Sequence, residues 1–413
     1  MTQYFRLAAS ASVLALGLAS AAQADCGIEA GNVSILGNDF PALQAVIDGA
    51  RACATDNVSV SANLTSDHRD LQVAALTANP SQYSVAVVAN GSIVPLMNAG
   101  LIRPLDDLVE QYGDWLQPTQ LVRIEGNIMA VAFMANAQHL FYRADILEAA
   151  GVDAPETIED VLAAAEAIRE QGLMRHPVAM VSGAGWNLAQ EFVNLHLGHG
   201  GRFFEPGSAA PAINSPEGLA ALEALKALTS FSDPDYLTFD SNSVQSLWEA
   251  GEVALMLHWG SRGAGILSGD NTTPEIVEST VLAAAPSAGA DGRPATTLWW
   301  DGFTIAVNTS DEDAAASFQA MLNGITPERV AENSGLAVWL GEGYEPTPAS
   351  AGVVASAEGG AAPYPMSPYM GLMHSALGEN LAPFLQGNAS ADETLETIEA
   401  AYITAARSQG FLN

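Results

Sequence analysis

The side chains that could do chemistry are tryptophans set beside carboxylates, amides and glycines. Trp299-Trp300-Asp301 stands just before the strand candidate Phe303–Val307, and Trp259 follows the strand candidate Val253–Leu257. Trp186 sits in Ser182-Gly183-Ala184-Gly185-Trp186-Asn187, where glycines would let backbone N–H groups approach a bound molecule. Such a set suits recognition rather than turnover. A sugar ring offers apolar C–H faces to flat aromatics and hydroxyl edges to Asp, Asn, Gln or Arg. An organic cation such as a polyamine would also fit aromatic walls beside an acid. Side-chain alternation sends Trp299 and Asp301 one way and Trp300 the other. One of the two tryptophans should face a ligand while the other packs, and Trp300 is taken as the ligand-facing one, with Asp301. Asn38, Asn90 and Asn136 each follow a strand candidate and are further candidates, although Asn90 could cap a helix instead. Asp39 is expected to act as a cap before Phe40. His68 precedes Arg69 after the second strand and could reach the same region.

Catalytic signatures are missing. The chain contains no G-x-S-x-G elbow, no H-E-x-x-H and no phosphate-cradling G-x-x-x-x-G-K. Lys226 is the single lysine, so Schiff-base chemistry would rest on it alone. His196 and His199 are three apart, a spacing that can bind metal, but they lack an apparent third ligand. No metal or cofactor is expected. A secreted glycoside hydrolase stays open as an alternative of another class, because it needs only two carboxylates across a cleft.

The elements that must position these residues alternate from the start. Val33–Gly37, Val58–Val60 and Tyr83–Ala89 read as strands. Helical spacing runs over Phe40–Cys53, Asp67–Asn79 and Ile93–Ala99. This β-α-β-α-β rhythm predicts a mainly parallel sheet with helices on both faces. Later helices are announced by caps: Thr157 with Asp160, Ser215 before Pro216, Ser310 with Asp313, and Ser390 with Glu393. Further strands are expected at Pro177–Val181 and Val281–Ala285. Ala351–Ala362, rich in Gly, Ala and Ser, reads as a surface loop.

Charge and the N-terminus bound the setting. The 413 residues carry 14 basic and 47 acidic side chains, a net charge of -33. Such a surface repels nucleic acid and anionic lipid. A charged start, the apolar stretch Leu7–Ser20 and Ala22-Gln23-Ala24 form the three parts of a secretory signal peptide, with cleavage expected before Asp25. The residues before Cys26 do not suit lipidation, so a free periplasmic protein is expected. Cys26 and Cys53 could pair in that compartment and would tie the mature N-terminus to the first helix. At this length two lobes are the expectation.

Four segments in order resemble the family 1 extracellular solute-binding proteins of ABC importers, the group that includes maltose-binding protein. They are Met97–Leu108, a turn of the form "aGli-pLd-l"; Gly126–Asp145, a hinge strand running into Leu140-Phe141-Tyr142; Phe239–Gly260, with Gly251–Met256 and His258-Trp259-Gly260; and Trp300–Val307 as a return strand. The chain departs from the family pattern at Tyr83-Ser84-Val85 and at Asp301-Gly302. The resemblance implies a two-lobed type II periplasmic-binding fold with three crossings, near Met134, Ala285 and Leu322. Lobe 1 would comprise 25–133 and 286–322, and lobe 2 would comprise 134–285 and 323–413. It implies a monomer that binds a sugar-like solute between the lobes and delivers it to membrane permease subunits. It makes Trp259 a ligand wall, supports Trp186, and adds Trp339 and Tyr364 as late aromatics of the second lobe.

Overall fold

Buried apolar strands and capped amphipathic helices alternate along the chain, and they assemble two sheets. The structure is a computed structural model that describes residues 26–413. The expected signal peptide, 1–24, lies outside the described residues. The strands are β1 (Gly31–Gly37), β2 (Val58–Leu64), β3 (Val85–Ala89), β4 (Leu121–Ile124), β5 (Asn127–Asn136), β6 (Gln138–Arg143), β7 (Val178–Met180), β8 (Leu255–Trp259), β9 (Thr280–Ala283), β10 (Thr297–Ile305), β11 (Val338–Trp339) and β12 (Ala362–Pro363).

The first sheet runs β11-β5-β10-β3-β1-β2, with β4 on β5 and β12 on β10. Its β2-β1-β3 core is parallel. All five residues of β3 are buried, as expected of a strand covered on both faces. The second sheet runs β7-β8-β6-β9, with β7 and β8 parallel. Antiparallel pairing enters with the strands that carry the chain between sheets: β10 against β3 and β5, and β6 against β8 and β9.

Three passages carry the chain between the sheets, and the two-residue β12 later returns to the start of β10 at Thr297 and Leu298. Only the buried Ala137 separates β5 in the first sheet from β6 in the second. The second passage lies between β9 and β10. The third follows Trp339 rather than falling near Leu322. Ile325, Val330, Ala337 and Trp339 all pack into the first sheet's core, so the chain stays there until β11 has paired with β5. The stretch from Ala351 is not a loop, because Ala351–Glu358 forms a helix. Its small residues let it lie close to β6: a Cβ added at Gly352 would stand 2.2 Å from Nδ1 of His139.

The expected caps form. Thr157, Ser215, Ser310 and Ser390 each accept an N–H of the first helical turn. Cys26 and Cys53 are joined by a disulfide.

Candidate functional site

Between the two sheets lies a cavity of about 860 Å³. The first sheet supplies Asn38 and Asp39 after β1, and His68 and Arg69 at the start of the helix that follows β2. These are carboxyl ends of parallel strands, where backbone geometry leaves loops free to face a ligand. The passage strands supply Asn136 at the end of β5, and Trp299 and Asp301 on β10. The second sheet supplies Trp259, Ser261 and Arg262 at the end of β8, Trp186 after β7, and Asp240 at a helix cap.

Three indole rings form one wall. The Trp186 and Trp259 centroids are 6.5 Å apart and nearly parallel, at 25°. Trp299 meets both edge-on, at 5.7 Å from Trp186 and 5.9 Å from Trp259. Gly185 makes this placement possible. At φ 96° it turns the chain so that a helix starts at Trp186, a conformation that side chains rarely adopt. Tyr364 packs on Trp299 at 4.2 Å from behind. His374 donates from Nε2 to the Trp186 carbonyl at 2.9 Å and accepts the Tyr364 hydroxyl at Nδ1, also at 2.9 Å. Burial pushes His374 down to about 4, so the neutral ring suits this arrangement.

A buried polar network supports the wall. Nε1 of Trp299 donates to Oγ1 of Thr297 at 2.9 Å, and Thr297 donates to Oδ1 of Asn194 at 2.9 Å. Asn194 donates to Gln138, and Gln138 donates to Oε1 of Glu191 at 2.7 Å. The network thus joins β10, β6 and the helix Trp186–Gly198. Burial drives Glu191 up to about 8, with the Gln138 hydrogen bond pulling the other way.

Charge enters from both sheets. The Arg69 guanidinium lies 4.2 Å from the Trp186 ring centroid. Among the described residues it has no hydrogen bond or ion pair to hold it there. Burial raises Asp301 to about 6 while Arg69 draws it back down. His68 falls to about 4 through burial and the neighbouring Arg69 charge. Asn136 is fixed, because its Oδ1 accepts the N–H groups of Ala137 at 3.0 Å and Ser261 at 3.2 Å. The arrangement offers an aromatic face, fixed amides and opposite charges at hydrogen-bonding edges. That combination can grip a hydroxylated ring.

Of the residues singled out from sequence, Trp259, Trp186, Asp301, Asn38, Asn136 and His68 line this cavity, and Asp39 does too. Four others do not. Trp300 is directed to the opposite face of β10, where it packs with Ile93, Leu96 and Met366. Trp299–Asp301 lie within β10 rather than before a strand, so alternation holds through them and Trp299 takes the cavity face. Asn90 is buried and accepts the Trp300 N–H at 2.9 Å. Trp339 is buried in the first sheet's core and donates to the Asn333 carbonyl. Tyr364 stands behind Trp299 rather than on the cavity surface. Sequence reasoning also passed over Arg69 and Arg262. With only 14 basic residues in the chain, arginines beside strand ends were a usable signal.

Comparison with known proteins bears on this geometry. The family model described as bacterial extracellular solute-binding protein matches residues 38–324. A probable ABC transporter-binding protein of Deinococcus radiodurans is 27% identical over 214 residues, 50% of each chain. The chain thus aligns with about half the length of that curated relative. Maltose-bound MalE3 of T. maritima superposes with a TM-score of 0.78 at 19% identity, covering 91% of this chain and 100% of that one. A ribitol complex of an ABC transporter solute binding protein from Agrobacterium radiobacter K84 gives 0.78 at 18%, covering 92% and 98%. A D-mannitol complex from Agrobacterium vitis S4 gives 0.75 at 18%, covering 92% and 99%. At these identities the structural likeness establishes the two-lobed fold. With the family model spanning most of the chain, from the end of β1 to the helix Asp311–Asn323, the protein belongs to the bacterial extracellular solute-binding proteins.

Proposed function

We propose that the protein is the solute-capturing component of an ABC importer, exported to the periplasm by its N-terminal segment, and that it holds a sugar or sugar-like polyol between its lobes. The observation that carries the reading is the meeting of Trp186, Trp259 and Trp299 with Arg69, Asp301 and Asn136 in one cavity. Indole faces match C–H surfaces, and charged or amide edges match hydroxyls. The relatives solved with maltose, ribitol and mannitol support the same ligand class. Lobe 1 would comprise β1–β5, β10 and β11 with their helices, and lobe 2 the rest. Closure would turn about Ala137 and the two later passages, and the closed monomer would be the form presented to the permease.

A polyamine fits less well. Of the four aspartates that line the cavity, Arg69 faces Asp301 and Asp70 while Arg262 faces Asp39 and Asp240, so the acids that a cation would need are already opposed. The cavity carries binding chemistry and needs no catalytic step. Sustained turnover of chromogenic glycosides, lost on replacing a cavity acid, would overturn this.

Thermal unfolding with a panel of sugars, polyols, amino acids and diamines tests the reading. A cognate sugar at a thousandfold over its Kd should add about 4 kcal/mol of stability. A diamine that shifts the melt while every sugar and polyol leaves it unmoved would refute the carbohydrate reading.

A further inference from the structure

The hydrogen bonds that begin at Trp299 all run one way. Its Nε1–H donates to Oγ1 of Thr297 at 2.9 Å, and the Thr297 hydroxyl donates to Oδ1 of Asn194 at 2.9 Å. Nδ2 of Asn194 donates to Oε1 of Gln138, and Nε2 of Gln138 donates to Oε1 of Glu191 at 2.7 Å. The direction follows from the ends. An indole nitrogen can only donate, and a carboxyl oxygen stands at the far end to accept. Between them, the amides of Gln138 and Asn194 could each present oxygen or nitrogen to a neighbour. The acceptor on Glu191 turns the Gln138 amide nitrogen toward itself. That leaves the Gln138 oxygen for Asn194 and the Asn194 oxygen for Thr297. Gln190 braces the last junction, with Nε2 donating to Oδ1 of Asn194 at 2.8 Å and to Oγ1 of Thr297 at 2.9 Å.

All these side chains are buried. Away from water each bond in such a chain polarises the next, and a member that loses its partner has no solvent to replace it. The chain also touches the supports of the other two indoles. Gln138 pairs with Trp259 across β6 and β8, and Gln190, Glu191 and Asn194 belong to the helix that begins at Trp186. Gln138 directly follows Ala137 at the first passage, and Thr297 opens β10 after the second. One buried carboxyl thus terminates the polar support of the whole indole wall.

We propose that Glu191 is a positioning residue of the binding site: as the terminal acceptor it fixes the amides of Gln138 and Asn194 and, through Thr297, the Trp299 ring. The inference rests on the indole wall being the face on which the solute stacks. The elements packed around the helix Trp186–Gly198 bring other titratable groups near. They are His139, Tyr142 and Arg143 on β6, Asp301 on β10, Glu217, Glu223 and Lys226 on the helix Pro216–Thr229, and His374 and Glu379 on the helix Met370–Asn380. His196 shares the helix itself. None of them moves Glu191, which burial raises and the Gln138 hydrogen bond draws down. Burial holds His139, His196 and His374 below their ordinary value, and Asp301 reaches only about 6, so these four titrate before Glu191 does.

Nuclear magnetic resonance of the ligand-free protein labelled with nitrogen-15 tryptophan tests it, with Trp299→Phe identifying the Trp299 indole N–H signal. From pH 6.5 to 9 that signal should move downfield with a midpoint near the Glu191 value of about 8, because charge on the terminal acceptor polarises every bond before it. Glu191→Gln keeps an acceptor for Gln138, so it should hold the wild-type position at pH 6.5 and abolish the movement. Glu191→Leu removes the acceptor and should displace the signal already at pH 6.5. Thr297→Val cuts the chain at its first link without changing the carboxyl, so it should make the signal insensitive to pH, and it decides the matter if Glu191→Leu does not fold. A signal that stays still in the wild type, or that titrates equally in Glu191→Gln or Thr297→Val, would overturn the proposal. Calorimetry with maltose, ribitol and D-mannitol reads the consequence for capture. A probe that binds should bind Thr297→Val about fivefold more weakly than the wild type, the loss of one net hydrogen bond. Equal affinity would overturn the role in binding. Failure of all three probes to bind the wild type would count against the sugar reading alone, since the resonance still decides whether Glu191 positions Trp299.

Discussion

Trp299 and Trp300 show how one residue of register decides a role. Both are aromatic and both stand beside Asp301. Only Trp299 shares the cavity face with it, because β10 is already extended when it reaches them. Trp299→Ala should weaken ligand binding at least about tenfold, or ~1.4 kcal/mol, with little change in the fold's secondary structure. Whereas replacing the buried Trp299 should lower both affinity and stability, Trp300→Ala should leave affinity near wild type and lower stability only. The loss should fall below the roughly 3–5 kcal/mol of a fully buried aromatic, since Trp300 is half-buried. Calorimetry and urea unfolding of the two variants separate these outcomes, and equal loss of affinity in both would contradict the assignment. Local pattern carried Trp259, Trp186 and Asp301 into view, since each adjoins a recognisable strand or glycine turn. It could not tell that Trp339 would be claimed by the first sheet's core, because that depends on β11 pairing with β5.

At the scale of elements, the network from Gln138 through Asn194, Glu191 and Thr297 ties β6, β10 and the helix Trp186–Gly198 together beneath the indole wall. Its one ionisable member is Glu191, 3% exposed and raised to about 8. Because the folded value lies above the unfolded 4.5, the native state keeps a proton that the unfolded chain releases between those limits. Stability from this group is therefore fully present below pH 4.5 and is lost as pH rises toward 8. The buried histidines, lowered in the folded state, act in the opposite direction, because the unfolded chain still takes up protons on them near pH 6.5, so the Glu191 contribution is read as the difference between the wild type and Glu191→Gln. In urea unfolding from pH 6.5 to 8 the wild type should lose stability relative to Glu191→Gln by up to about 1.4 kcal/mol per pH unit. Glu191→Gln keeps an acceptor for Gln138 and removes the titrating proton. A parallel slope in the variant would place the titration elsewhere. The helices themselves were readable from their caps, since a Ser or Thr with an acid three residues on is a local signal. The helix at Ala351–Glu358 was not, because Gly and Ala there serve contact with β6 rather than local propensity.

At the scale of the whole molecule, the Cys26–Cys53 bridge, 27 residues apart in sequence, closes the start of the described chain onto the helix Pro41–Arg51. Neither cysteine lines the cleft. Replacing both by serine should cost about 3 kcal/mol through the freed unfolded chain, with the Kd for a cognate sugar unchanged. Denaturant midpoints together with calorimetry check both halves of that expectation, and a lost affinity would show that the bridge shapes the cleft. The amino-acid order by itself determined the alternation of strands and helices, the helix starts, the candidate cysteine pair and an acidic surface unsuited to nucleic acid. Each depends on periodicity, capping chemistry or composition within a short window. Tertiary structure alone decided which tryptophan faces the cavity, that Arg69 reaches across to Trp186, and that the third passage waits until after Trp339. Those facts depend on pairing and packing between segments up to about 200 residues apart, as Val338 is from Ala135, and no local window contains them.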